Sequence, residues 1–297
     1  MRQKSRTPTE ATLFKGAALG VLLGSGLAAV TEGFPTESTL AFDEIEGLTP
    51  PSVAGHKGEL RRCVVSDRPC LFICGRKHYY EGHVEEIHAL MRYLHGSGLR
   101  RLVLTSAAGS LLKSVFPGEL VLVTDVIDAQ FRSPAMERTG RCDIERTPPD
   151  PRAARIANAP SADRRGETGP MFSSERPSSP GRLAIDEAMS RDLWKAASDT
   201  RLGLGRGAAV SCAGPVYETP AEIRALQETG ASVVTMSGTP EIEIANALGI
   251  RVAMVAVVTN WAAGISNARL RHEDVLGVAR SAAARLRQLI VRFVETS

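Results

Sequence analysis

The chain has 297 residues, 43% of them hydrophobic and 23% charged, the balance of a soluble globular protein able to bury a sizeable core. A formal net charge of only +3 and an aromatic content of 5% argue against a nucleic-acid-binding protein, which would need a concentrated basic face or stacking platforms. No stretch holds about 18 uninterrupted apolar residues, so no membrane span is expected.

Residues 17–23 read as a first strand, and the turn Gly24-Ser25-Gly26 is expected to lead into a helix. The basic start and the apolar, small-residue run from Ala17 to Val30 imitate a signal peptide, but Pro8, Glu10 and four glycines break the pattern. Residues 34–66 carry Pro35, Pro50, Pro51 and short alternating runs such as Leu60 to Val65, the marks of an antiparallel meander. Cys70 to Cys74 reads as a buried strand, and His83 to His95 has apolar residues at helical spacing until Gly96 and Gly98 stop it. Leu102 to Thr105 and Leu120 to Ile127 are further strands, with Pro117-Gly118 turning between them.

Residues 133–181 are rich in proline and arginine and lack periodicity. They read as a long, partly disordered insertion, either passive or a lid. Helices are expected over 184–198, 221–229 and 241–248, a buried strand over 252–258, and a long amphipathic helix over 272–294. The fold class is α/β: a single domain with a mixed central sheet flanked by helices. Five cysteines lack the spacing of a zinc site, which fits a reduced, cytoplasmic protein without a metal centre.

Six apolar runs end in residues of distinct chemistry. The ends are Gly24-Ser25-Gly26, Gly75 to Gly82, Thr105 to Ser110, Ala213 to Pro220, Met236-Ser237 and Thr259-Asn260. Ligands of open α/β sheets bind beyond the carboxyl ends of the strands, so these six ends can build one pocket. The richest is Gly75-Arg76-Lys77-His78-Tyr79-Tyr80-Glu81-Gly82. Arg76 offers a planar fork of donors suited to phosphate, and His78 a further hydrogen bond, whereas Lys77 is expected to face solvent. As an isolated stretch it reads equally well as a solvated polar loop.

In this order the motifs resemble the purine nucleoside phosphorylases, in the branch that forms homotrimers. The resemblance is strongest at Gly75–Gly82, Ala213–Glu222 and Thr259–Ile265, followed by His272-Glu273-Asp274-Val275. It implies phosphorolysis of 6-oxopurine nucleosides, with inorganic phosphate as co-substrate and no cofactor. It assigns phosphate to Ser25, Arg76, His78, the Ala107 N–H and Ser237. It assigns the purine to Tyr217, Glu218 and Asn260, and the ribose to Tyr80, Met236 and His272. His78, Glu218 and Asn260 are the expected catalytic residues. Glu218 can also be read as an acid complementing a helix N-terminus, and His272 as part of the cap region of the last helix.

The chain departs from the family in two informative places. Ser106 stands where asparagine is usual and looks more like the methylthioadenosine phosphorylases, a branch that uses aspartate at the position of Asn260. Arg182-Leu183-Ala184-Ile185 holds no aromatic where the family supplies one to a neighbouring subunit, and Phe172 is a possible substitute. A methylthioadenosine-type enzyme and a catalytically weak nucleoside-binding homologue are therefore the alternatives.

Overall fold

The apolar runs become strands of one mixed sheet. The protein is described here by a computed structural model covering residues 17–52, 57–81, 84–130, 183–266 and 272–296, with the side chains of 272–274 excepted. Among these residues nine strands form: β1 (Leu19–Leu23), β2 (Thr36–Ala41), β3 (Glu59–Val65), β4 (Arg68–Cys74), β5 (Arg101–Ser110), β6 (Leu120–Ala129), β7 (Leu204–Cys212), β8 (Val233–Thr235) and β9 (Arg251–Trp261). Five α-helices accompany them: α1 (Val84–Gly96), α2 (Glu187–Asp199), α3 (Pro220–Gln227), α4 (Thr239–Ala247) and α5 (His272–Thr296). The expected insertion over 133–181 lies outside the described residues.

The strand order is β2-β3-β4-β1-β5-β8-β7-β6-β9, with β5 also paired to β9. That extra pairing closes β5, β8, β7, β6 and β9 into a ring of five strands, from which β1, β4, β3 and β2 extend as an open wing. β1 lies parallel to both β4 and β5, and the expected meander is present as antiparallel β2–β3–β4.

The central strands are apolar on both faces because helices cover both. Successive residues of β9 show the period of two. Val252, Met254, Ala256 and Val258 join the cluster under α1 and α4, while Ala253, Val255 and Val257 join the cluster under α2 and α5. The helical spacing read in the sequence buries Ile87, Leu90, Met91 and Leu94 on α1 and Leu286, Leu289, Ile290 and Phe293 on α5.

One expectation fails locally. The glycine turn after β1 leads not into a helix but into a four-residue 3-10 turn, Ala28–Thr31. Its preceding residue, Leu27, provides no side-chain cap, and Pro35 follows within one turn, so no longer helix can propagate. Ser25 therefore sits in a tight turn rather than at a helix N-terminus.

Candidate active site

The strand ends converge on one cavity of about 260 Å³. Ser25, Arg76, His78, Tyr80, Ala107, Tyr217, Glu218, Met236, Ser237 and Asn260, ten of the residues singled out in the sequence, all line it. The remaining one, His272, opens α5, and its side chain lies outside the described residues.

At one end, β1 and β5 approach closely. A Cβ on Gly24 would come within 3.1 Å of the Ser106 Cα and the Thr105 carbonyl, so any larger residue would push these two strands apart by a few tenths of an ångström. The Gly24 N–H donates to Thr105 Oγ1 at 3.1 Å, and that hydroxyl donates to the Leu22 carbonyl at 2.9 Å. The Ser25 turn and the Ala107 backbone are held together as one wall.

Arg76 is 1% exposed. Its Nη1 pairs with Glu241 Oε1 at 3.3 Å, its Nη2 donates to the Thr105 carbonyl, and its Nε is buried without a partner among the described residues. The second oxygen of Glu241 accepts the Gly238 N–H at 3.2 Å. One buried carboxylate thus ties the end of β4 to the turn that carries Ser237. Glu241, 165 residues from Arg76 in the chain, is absent from the sequence reading. It stands three residues after the N-cap Gly238, behind Pro240, on a helix that is buried nearly all round, where an acid needs a partner.

His78 is also buried. Its backbone N–H donates to Glu81 Oε1 at 2.7 Å, and its Nδ1 lies 3.3 Å from the same oxygen. Ser52 Oγ donates to the other oxygen of Glu81 at 2.5 Å. Burial and the neighbouring Arg76 charge pull the His78 imidazole below its ordinary value, which favours the neutral ring at pH 7. Burial pushes the Glu81 carboxyl up, but bonds from Ser52 and His78 outweigh this and hold it below the usual carboxylate range. Lys77 does not face solvent as expected. It is 7% exposed, with Nζ 3.9 Å from Glu86, a carboxylate that also accepts from the Thr49 N–H and hydroxyl. The loop before residue 53 folds over this charge and removes it from water.

Tyr80 stacks on His78, with ring centroids 4.9 Å apart, and meets Met236 across Gly214. A Cβ on Gly214, whose φ is +69°, would lie 2.7 Å from Tyr80 Cδ1 and 2.8 Å from Met236 Sδ. Burial and the nearby Glu81 push the Tyr80 phenol up to about 12, so it stays a neutral donor and acceptor.

At the far end stand Glu218 and Asn260. Glu218 precedes α3 but does not cap it. Thr219 is the N-cap of α3, its hydroxyl accepting the Glu222 N–H at 3.3 Å while Glu222 accepts the Thr219 N–H at 2.7 Å. The cap is complete without Glu218, which lines the cavity instead. Burial raises the Glu218 carboxyl above the ordinary range. Asn260 follows an irregularity in which Ala108 pairs with Val258 but Gly109 pairs with Asn260, leaving Thr259 unmatched. This extra residue re-aims the strand end. Asn260 Oδ1 accepts from Thr259 Oγ1 at 2.8 Å and Nδ2 donates to the Trp261 carbonyl at 3.0 Å, which leaves the amide one further donor and one further acceptor. Gly109 makes room for it, since a Cβ there would come within 3.1 Å of Nδ2.

The stretch without an aromatic packs onto its own chain. Leu183 and Ile185 lie against the core, and the Ala184 N–H donates to Asn246 Oδ1 at 2.7 Å. Phe172 lies outside the described residues.

A family model described as the phosphorylase superfamily matches residues 18–295. The chain belongs to the phosphorylase superfamily. Within it, a purine nucleoside phosphorylase of Mycobacterium tuberculosis (strain ATCC 25618 / H37Rv) is 33% identical over 275 residues, covering 92% of this chain and 87% of that protein. Purine nucleoside phosphorylase 1 of Bacillus subtilis (strain 168) is 28% identical, covering 93% of this chain and 91% of that one. Among solved structures, Schistosoma mansoni purine nucleoside phosphorylase superposes with a TM-score of 0.72 in its complexes with adenosine and with inosine, at 26% identity. The adenosine complex covers 94% of this chain and 91% of that one, and the inosine complex 95% and 90%. The phosphorylase is thus a member of the purine nucleoside phosphorylase group, as the motif order implied.

Proposed function

We propose that this phosphorylase cleaves 6-oxopurine ribo- and deoxyribonucleosides, inosine and guanosine, with inorganic phosphate, releasing free purine and the sugar 1-phosphate. The observation that carries the reading is one cavity lined both by Arg76, His78 and Ser237 and by Glu218 and Asn260. A phosphate oxygen forms a bond to C1′ as the C1′–N9 bond breaks, and the bonding pair leaves with the purine. The sugar passes through an oxocarbenium-like state, so catalysis consists of holding phosphate beneath C1′ and stabilising charge on the departing base. No covalent enzyme intermediate and no metal are required.

Glu218, as a carboxylate, accepts from N1–H of a 6-oxopurine and from the 2-amino group of guanine. Asn260 uses its spare donor on O6 and its spare acceptor on a proton at N7. Adenine sets a lone pair at N1 against the carboxylate, and a buried acceptor facing an acceptor discriminates strongly. Tyr80 and Met236 form the sugar wall, with His272 assigned to the 5′-hydroxyl.

Ser106 motivates the methylthioadenosine reading, and Schistosoma mansoni purine nucleoside phosphorylase has been captured with adenosine. In this chain, however, the Ser106 hydroxyl is bonded to Thr235 and Ser237, at the anion end. It therefore does not argue for a 6-aminopurine. Specificity constants for inosine, guanosine, adenosine and methylthioadenosine test the reading. Inosine or guanosine is expected to exceed adenosine by about 10² or more. Comparable release of adenine and hypoxanthine contradicts it.

A further inference from the structure

Three hydroxyls form a buried chain at the anion end of the cavity. Ser106 Oγ lies 2.5 Å from Thr235 Oγ1 and 2.8 Å from Ser237 Oγ. The Ala107 carbonyl accepts from this group, with Ser106 Oγ at 3.0 Å and Thr235 Oγ1 at 3.3 Å. The Ser237 N–H donates to Thr235 Oγ1 at 3.3 Å. Ser106 and Thr235 are 1% and 4% exposed, so water does not compete for these bonds.

Each hydroxyl carries one proton and the Ala107 carbonyl accepts. If Ser237 donates to Ser106, then Ser106 donates to Thr235 and Thr235 to the carbonyl, and no proton faces the cavity. The reverse order has Thr235 donating to Ser106, Ser106 donating to Ser237, and Ser237 donating into the cavity, which takes the chain's proton off the Ala107 carbonyl. An anion selects the second order, in which Ser237 receives a hydrogen bond while giving one. A hydroxyl so polarised is a stronger donor. Thr235 completes the device by accepting the Ser237 N–H and anchoring the backbone behind the donor.

We propose that Ser106 and Thr235 are positioning residues that set the Ser237 hydroxyl as a donor to the bound phosphate, the three hydroxyls acting as one reversible chain. The proposal rests on the phosphate assignment of this end of the cavity. Ser106 acts through Ser237, so its contribution vanishes when the Ser237 hydroxyl is removed.

The test is calorimetric titration of the full-length protein with inorganic phosphate, alongside steady-state kinetics and a thermal unfolding check on every variant. Ser237→Ala and Ser106→Ala are each expected to weaken phosphate binding about tenfold, with nucleoside KM moving less than twofold. The double variant is expected to be no weaker than Ser237→Ala alone. Thr235→Val is expected to weaken phosphate similarly, and Thr235→Ser, which keeps the hydroxyl, to restore it. Additive losses in the double variant, or unchanged phosphate affinity in Ser106→Ala, overturn the chain while the phosphate site stands. Unchanged affinity in Ser237→Ala, or no phosphate binding by the unmodified protein, overturns the phosphate assignment and the chain with it.

Discussion

At the scale of single residues, the purine end of the cavity combines one group held against its own preference with one group half-used. Burial lifts the Glu218 pKa above that of the unfolded chain, so ionising this carboxyl costs the folded protein stability. Stability contributed by its protonated form is present at low pH. It is lost as pH rises from the ordinary carboxylate value of about 4.3 through the raised one. Glu218→Gln removes that loss. Thermal unfolding at pH 7 is expected to show a higher midpoint for this variant, with guanosine kcat/KM lower by about 10² or more, because the amide cannot accept from two donors with a charge. A variant both less stable and fully active contradicts the placement of Glu218 against the base. Asn260 is half-used by Thr259 and Trp261, so its spare donor and acceptor define the base edge it can meet. Asn260→Asp supplies acceptors only and is expected to shift the adenosine-to-inosine ratio of specificity constants upward about tenfold or more. An unchanged ratio places Asn260 away from the base.

At the scale of elements, two devices hold the site, and they were unequally legible. The capping box of α3, Thr219-Pro220-Ala221-Glu222, is local in sequence, and Glu218 stands outside it. The unbroken apolar run of β9 and the helical spacing of α1 and α5 were plain, because burial and period follow from local sequence. The clamp between β4 and α4 was not. Arg76 and Glu241 are 165 residues apart in the chain, and only the fold brings them together. The same holds for Lys77 beside Glu86, where a charge run that reads as solvated is covered by the loop before residue 53. Glu241→Ala leaves the Arg76 charge buried without its counter-ion and is expected to cost about 3–5 kcal/mol in denaturant unfolding. A loss below about 1 kcal/mol shows that the pair does not clamp the two elements. Gly214 also shapes the site. Gly214→Ala drives a methyl into Tyr80 and Met236 at a positive φ, and the nucleoside KM is expected to rise about tenfold with phosphate KM less affected. Equal effects on both substrates contradict the sugar-wall assignment.

At the scale of the whole molecule, the five-stranded ring brings the ends of β5, β7, β8 and β9 around one cavity, while the wing supplies β1 and β4. The mixed sheet and its flanking helices were legible from the order of apolar runs. The closure was not, since it depends on β5 pairing with β8 through Gly109 and Ser110 while it keeps β9 on its other edge. The turn after β1 was misread as a helix start because glycine turns precede helices and 3-10 turns alike. The homotrimer implied by the family resemblance is tested by light scattering at micromolar concentration, where about three times the chain mass is expected and a monomer contradicts it. Phosphorolysis requires the cavity to hold phosphate and a purine nucleoside together. The most direct measurement is product analysis of inosine incubated with purified protein, with and without inorganic phosphate. Hypoxanthine and ribose 1-phosphate in equal amounts, formed only with phosphate, are the predicted result; hypoxanthine and free ribose released equally fast without phosphate would contradict it.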